Sequence, residues 1–263
     1  MAILDRGASG VLSQPAGTAG CVDHQGQEGC ADGRALDGAS GVAIAPGDQH
    51  VYVASNTSDA VAVFDRAAAT GGLTQKAGSA GCVDEQANEG CADGRALNGA
   101  LTVATSPAGS EVYVASFLSD GIAILDRDAT NGELTQQPGP AGCVTNTGTG
   151  GSCQDGLVLN NLRGVAVSPD GLSVYGTAQD DDAVSVFDRA FPEATITNPD
   201  PGPVTFGDQA TASGASDPIE VTVTSTGTAG VAFGASTITG PDAGEFSIAV
   251  DRCTGTTVNP GST

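Results

Sequence analysis

Apolar residues along this chain come in short runs divided by Gly, Pro and polar turns. Gly41-Val42-Ala43-Ile44-Ala45 ends at Pro46-Gly47, and His50-Val51-Tyr52-Val53-Ala54-Ser55 follows. After a polar turn from Asn56 to Asp59 comes Ala60-Val61-Ala62-Val63-Phe64-Asp65-Arg66. Runs of this length bounded by turn residues predict β-strands. The unbroken stretch Val61 to Phe64 predicts a strand covered on both faces. Thr70-Gly71-Gly72 predicts a hairpin turn into a short outer strand, Leu73-Thr74-Gln75, and a long loop with Cys82 and Cys91 then leads onward.

The same order of runs recurs. Leu101 to Ala104, Glu111 to Ser116 and Ile122 to Arg127 form a second unit, in which Asn131-Gly132 predicts a type I′ turn. Val165 to Val167, Ser173 to Tyr175 and Ala183 to Arg189 form a third. The only three tyrosines, Tyr52, Tyr113 and Tyr175, occupy one slot of the unit. Cys21, Cys82 and Cys143 stand 61 residues apart; Cys30 and Cys91 keep that step, and Cys153 is one residue late. The N-terminus supplies only a third and a fourth strand, around Ile3 and Leu12.

A fixed period this long marks a stacked architecture. Four short strands per unit, stacked radially, make a β-propeller blade, whereas the rival β-sandwich needs no such repeat. The expected fold is all-β: about three and a half four-stranded blades over residues 1–191, a linker at 192–203, and a second β domain at 204–263. In that domain the predicted strands are Val204 to Gly207, Ile219 to Thr224, Val231 to Phe233 and Phe246 to Val250. Propellers close with about four to eight blades, so these are expected to be a fragment or to close by pairing with another chain. Open faces and strand edges would favour self-association.

The strings "SPDGLSVY", "VYVAS…SDAVAVFDR" and "TGGLTQ" resemble the YVTN-type, lactonase-like β-propeller family over roughly residues 1–190. The loop "GCVDEQANEGCADGRALNGA" resembles a bacterial exported branch of it. That resemblance implies the propeller fold; the family mixes sugar-lactone hydrolases with surface proteins. "PIEVTVTSTGTAGVAF", "ITGPDAGEFSI" and "CTGTTVNPGS" are similar to a Hydin-like, choice-of-anchor-type immunoglobulin-like domain. The similarity implies a C-terminally truncated sandwich in which Cys253 lacks its usual disulfide partner.

Composition narrows the partners. Thirty-one Asp and Glu against nine Lys and Arg, with one lysine (Lys76), give a net charge of −22. Such a surface repels nucleic acid and anionic membranes and suits cations, basic partners or saline surroundings. No apolar run approaches the ~18–20 residues that span a bilayer. No signal peptide precedes the strand-like Ala2 to Arg6, so the chain reads as a piece of a longer protein.

The six repeat cysteines are most simply three local disulfides, Cys21–Cys30, Cys82–Cys91 and Cys143–Cys153. Zinc is the alternative, but the spacing is not C-x2-C and the only histidines, His24 and His50, do not recur. Asp5-Arg6, Asp65-Arg66, Asp126-Arg127 and Asp188-Arg189 close every third strand. They could ring a channel and bind anions, but recurrence points to a structural role as inter-blade ion pairs and turn caps, one per repeat, and Arg34 and Arg95 in "DGRAL" are read the same way. Asp126, Asp128 and Asn131 place oxygens at alternate positions before Gly132, a calcium candidate that lacks the twelfth-position Glu. No other cofactor, and no catalytic residue, is assigned. There is no G-x-S-x-G, no H-E-x-x-H and no phosphate-binding glycine loop.

These observations point to an exported protein, extracellular, cell-surface or periplasmic, serving as a scaffold for a protein or carbohydrate ligand. The alternative is a lactonase-like hydrolase whose active site needs further blades.

Overall fold

The computed structural model describes residues 1–6, 9–189, 194–198, 217–225, 231–239, 243–259 and 262. The chain divides into two compact units, Met1–Asp188 and Arg189–Thr263. The described residues hold strands and short 3-10 turns and no α-helix.

The first unit is a series of propeller-type blades. It opens with half a blade: β1 (Asp5–Arg6) pairs antiparallel with β2 (Leu12–Ser13), and β3 (Val22–His24) runs parallel to β4 (Ala31–Gly33). The first complete blade is the antiparallel meander β5 (Ala39–Ile44), β6 (His50–Ser55) and β7 (Ala60–Arg66). Beyond β7 the outer position is shared. β8 (Leu73–Gln75) pairs with Phe64 to Arg66, β9 (Cys82–Asp84) pairs with Ala60 to Ala62, and β10 (Ala92–Asp93) runs parallel to β9. The second blade repeats this with β11 (Ala100–Thr105), β12 (Glu111–Ser116), β13 (Gly121–Arg127), β14 (Leu134–Gln136), β15 (Cys143–Thr145) and β16 (Gln154–Asp155). The third has β17 (Leu162–Val167), β18 (Ser173–Ala178) and β19 (Ala183–Asp188).

The cysteine segment, read from sequence as a loop, is part of the sheet. All three bridges form, with Cα–Cα distances of 4.8 Å, and each ties a residue at or just ahead of the start of one strand to the residue ahead of its parallel partner. Short parallel pairs bury few hydrogen bonds, and the covalent tie compensates by cutting the entropy of the unfolded loop.

The "DGRAL" motif explains how this segment is packed. Leu36, Leu97 and Leu159 are fully or nearly fully buried plugs. Each lies over a glycine: a Cβ on Gly33, Gly94 or Gly156 would approach the plug leucine within 2.6–2.7 Å and a valine of the neighbouring strand within 2.7–2.9 Å. Only glycine leaves room there. Between Gly and Leu the chain turns through a left-handed residue, Ala35, Ala96 or Val158, with φ of +54° to +59°.

Blades stack with their inner strands side by side. Ser40 Oγ donates to Leu101 O at 2.8 Å, and Thr102 Oγ1 to Arg163 O at 2.9 Å. The valines of the first blade, Val61 and Val63, share a core with Leu97, Val103, Val112 and Leu125 of the second. In β6 and β7 everything from His50 to Ser55 and from Ala60 to Phe64 is buried, as expected for strands covered on both faces. The same pattern in β18 and β19 alternates between buried and open, because one face of the third blade is bare.

One turn differs from expectation. In the Asp128–Glu133 hairpin only Gly132 is left-handed (φ +74°); Gly132 N donates to Asp128 O, so this is a longer loop and not a two-residue type I′ turn. The hairpin expected at Thr70-Gly71-Gly72 forms, closed in the same way between Ala67 and Gly72.

In the second unit, β20 (Ala194–Asn198) pairs antiparallel with β21 (Thr222–Ser225), and β22 (Val231–Ala232) with β23 (Thr257–Val258). A strand thus stands at 194–198, inside the stretch read as linker; the rest of that stretch and the strand expected at Val204 to Gly207 lie outside the described residues. Phe246 to Val250 is irregular and exposed instead of a strand, and Cys253 is a half-buried free thiol.

Candidate functional site

Three polar constellations stand out in the first unit. The pairings Ala39 with Ser55 and Ser55 with Ala60 put the start of the inner strand and the β6–β7 turn at one rim. Here a cleft of about 310 Å³ opens between the half-blade and the first blade. Asp37, Asp59, Asp84, Glu85 and Glu89 line it together with His24.

Four of these carboxylates accept from backbone N–H groups. Asp59, at φ +52°, accepts from Gly99 N at 2.7 Å, gripping the entry to the next blade. Asp84 accepts from Gln86 N and Asn88 N, and Glu89 from Ala35 N at 2.9 Å. Glu85 accepts from Leu97 N, and burial pushes its pKa up against the pull of that bond. His24 Nε2 stands 3.9 Å from Glu89 Oε1. The cleft is therefore rigid, polar and negative, able to attract a cation or a hydroxyl-rich ligand.

The second constellation is sealed between the first and second blades. Arg127 Nε donates to the Tyr52 hydroxyl at 2.7 Å, and that hydroxyl donates to Gly132 O at 2.9 Å. Arg127 also donates to Gly109 O at 2.7 Å and lies 2.8 Å from His50 Nδ1. An arginine can only donate, so Nδ1 accepts and the ring proton sits on Nε2, 3.6 Å from Asp65 Oδ1. Lys76 Nζ completes the chain to Asp65 at 2.6 Å. Burial, then the charges of Arg127 and Lys76, lower the pKa of His50 against the opposing pull of Asp65 and Asp128. Burial raises that of Tyr52, against the pull of Arg127. The group resembles an acid–base relay, but its hydroxyl is fully buried and occupied at both ends, which makes it a latch between blades.

The latch shows what two of the Asp-Arg pairs do: Arg127 reaches across the blade junction, and Asp65 forms an ion pair with Lys76 of its own blade. Arg127 spends its guanidinium on a hydroxyl, a carbonyl and an imidazole, while its neighbour Asp126 accepts from Gln137 Nε2 at 3.1 Å. Arg66 donates to Asp48 O at 3.2 Å, and Asp65 takes Lys76. The reason is alternation: adjacent strand residues face opposite sides, so Asp and Arg cannot meet. Asp5 and Arg6 are exposed, Asp188 is exposed, and Arg189 is buried. Arg34 and Arg95 serve as structural staples, donating to the carbonyls of Lys76 and Gly78 and of Gln137 and Gly139 respectively.

The calcium candidates are likewise committed to their hairpin. Asp128 accepts from Thr130 N at 2.7 Å and from Asn131 N, and Asn131 from Glu133 N at 2.9 Å. The backbone bonds hold the pKa of Asp128 down. Among the described residues no three His, Cys, Asp or Glu side chains are gathered for a metal.

The third constellation escaped the sequence reading. A β-bulge opens each inner strand, at Ser40, Leu101 and Arg163. Bulges re-aim a side chain, and here the re-aimed position is the one that does not repeat. The Arg163 guanidinium lies 5.4 Å from the centroid of the Phe117 ring, a cation–π pair. Aligning the bulges would have exposed this variation; a run-by-run reading passes over it.

No family model matches this sequence. No curated protein matches it either. Among solved structures it is similar to the periplasmic gluconolactonase of Pseudomonas aeruginosa (14% identity, TM-score 0.38, 74% of this chain and 52% of that one). It is also similar to a candidate 6-phosphogluconolactonase from Bacteroides uniformis (14%, TM-score 0.47, 72% and 47%). A third is the β-propeller domain of Myceliophteria thermophila Cps50 (14%, TM-score 0.34, 57% and 40%). The chain spans about a third to a half of the solved chains it matches.

Proposed function

We propose that this chain is an exported propeller-type scaffold that holds a protein or carbohydrate ligand at its acidic rim. The observation that carries the reading is the placement of the disulfide-tied strand pairs beside the cleft. Cys82–Cys91 closes the segment that supplies Asp84, Glu85 and Glu89, and Cys21–Cys30 closes the one that supplies His24. Bridges of this kind persist in oxidising compartments, which supports an extracellular, cell-surface or periplasmic location. The C-terminal unit is proposed to be an immunoglobulin-like module carrying the propeller. Titration of the full chain with a panel of oligosaccharides and basic peptides tests the reading. Binding that weakens on Asp59→Asn with Glu89→Gln supports it, and indifference of every bound probe to both changes refutes it.

Lactonase-like hydrolysis is the second reading, favoured by Arg163 braced on Phe117 at an unrepeated inner-strand position. A guanidinium there suits a polarised carbonyl or an anionic substrate group. The test is sugar-lactone hydrolysis by the chain, with and without divalent metal. A rate above background that is lost in Arg163→Ala favours this reading over the scaffold.

A further inference from the structure

We infer that the rim beside the acidic cleft recognises an oligosaccharide in which a uronate ring stands next to a neutral one, Arg163 taking the carboxylate. The inference deepens the scaffold reading and rests on it. The second blade is packed on both faces, against the first through Val103, Val112 and Leu125 and against the third through Ala115 and Ile122. Its β12–β13 turn is open all the same. Leu118 is 58% exposed, and among the described residues it is the only large apolar side chain of that blade so exposed. Further blades pack on faces and leave rims free, so this tip is open in a complete propeller as well.

The tip is also where the repeat departs from itself. Phe117-Leu118 replaces Asn56-Thr57 of the first blade and Gln179-Asp180 of the third. Register makes these equivalent, since Ser55 pairs with Ala60, Ser116 with Gly121 and Ala178 with Ala183. A Cβ on Gly99 would lie 2.8 Å from the Phe117 ring, whereas one on Gly38 would meet polar atoms of Asn56 and Thr57. The half-buried ring in turn lies 5.4 Å from the Arg163 guanidinium. Arg163 is exposed, and among the described residues its guanidinium has no hydrogen bond or ion pair. Arg34, Arg66, Arg95 and Arg127 by contrast donate to backbone carbonyls, and Lys76 is held by Asp65. Braced on Phe117, the Arg163 fork loses little entropy on binding an anion.

Gly99 joins this tip to the cleft. Its N–H donates to Asp59 at 2.7 Å, and the Phe117 ring rests where its side chain would be. The rim therefore runs from a wall of carboxylates, which can only accept, over an apolar step at Phe117 and Leu118, to one guanidinium, which can only donate. A uronate beside a neutral sugar is the complement. It brings ring hydroxyls to donate to the wall, a C–H face for the step and a carboxylate for a bidentate pair with Arg163. A basic peptide suits the wall and is repelled by Arg163. An acidic peptide sets a run of like charge against a net charge of −22.

Isothermal titration of the full chain tests this with a hyaluronan oligosaccharide and a glucuronoxylan oligosaccharide, each set against its carboxyl-reduced, neutral form. At least one acidic form is expected to bind about tenfold or more tighter than its neutral form, and Arg163→Gln is expected to erase that difference. Leu118→Ser is expected to weaken both forms by about threefold or more. Both positions are exposed, so the variants keep the fold. No binding of either acidic form overturns the inference. So does a preference for the acidic form that survives Arg163→Gln. Acidic and neutral forms bound alike also overturn it; if both are weakened by Asp59→Asn with Glu89→Gln, the scaffold reading stands without it. Binding of a poly-glutamate peptide that is lost in Arg163→Gln, with both sugars inert, overturns it in favour of a protein partner.

Discussion

Arg127 Nε donates to the Tyr52 hydroxyl at 2.7 Å across the junction of two blades, joining residues 75 apart in the chain. Both belong to slots that recur along the chain, and here the bond joins one copy to the next. Tyr52→Phe would leave Arg127 Nε and Gly132 O without their partner, costing about 1–3 kcal/mol. Tyr175→Phe, at the exposed equivalent, should change stability by less than about 0.5 kcal/mol. Urea unfolding of the two variants beside the native chain gives the comparison.

The same latch predicts a pH response. Its folded environment lowers the pKa of His50, with burial the largest cause. Below about pH 6.5 the unfolded chain takes up a proton that the folded His50 refuses, so the balance shifts toward unfolding. This contribution is fully present above pH 6.5 and is lost as pH falls toward the folded value. Melting temperatures between pH 7.5 and 5, set against His50→Gln, measure it. The variant should be less stable at neutral pH and show a flatter acid side.

Leu97 is a buried plug, and Leu157 lies 81% exposed on the equivalent segment of the next unit. Leu97→Ala should cost about 2–5 kcal/mol, Leu157→Ala less than about 0.5 kcal/mol. Calorimetry of both separates the buried plug position of this motif from its exposed one.

Removing the Cys82–Cys91 bridge by paired alanine substitution should cost about 3 kcal/mol on a chain-entropy estimate for its short loop. Hydrogen exchange should then rise first at β9 and β10. Intact mass under denaturing conditions with thiol alkylation should report one reactive cysteine, Cys253, in the native chain.

Val158 holds a β-branched side chain at φ +54°, where Ala35 and Ala96 stand in the other copies. Left-handed backbone costs a branched residue roughly 1–2 kcal/mol, which Val158→Asn should largely recover. A higher melting temperature is the expected result.

The sequence showed what is encoded within one repeat. Strand runs, the tyrosine slot, the cysteine pairs and the half-blade at the N-terminus are all spaced along the chain, and the structure places them as the spacing implies. What crosses between copies was hidden. That Arg127 meets Tyr52 and not Asp126 depends on the stacking of blades, which no single unit specifies. Leu36, Leu97 and Leu159 belong to no apolar run, because each is buried by its neighbours and not by a strand of its own. The bulges at Ser40, Leu101 and Arg163 are set by strand register, which the local residue pattern does not specify.

Asp59 caps Gly99 N at 2.7 Å, and Asp120 caps Asn161 N at 2.6 Å, so a turn in one unit completes the entry of its successor. A unit built this way is not self-sufficient; it finishes the one ahead and is finished by the one behind. Gene duplication or deletion can therefore lengthen or shorten such a chain only in whole periods, because a cut elsewhere would leave a donor without its cap. The step of 61 residues, or 62 where the cysteine segment carries one more, is thus the increment by which such a chain can grow, with each new member arriving already fitted to the last.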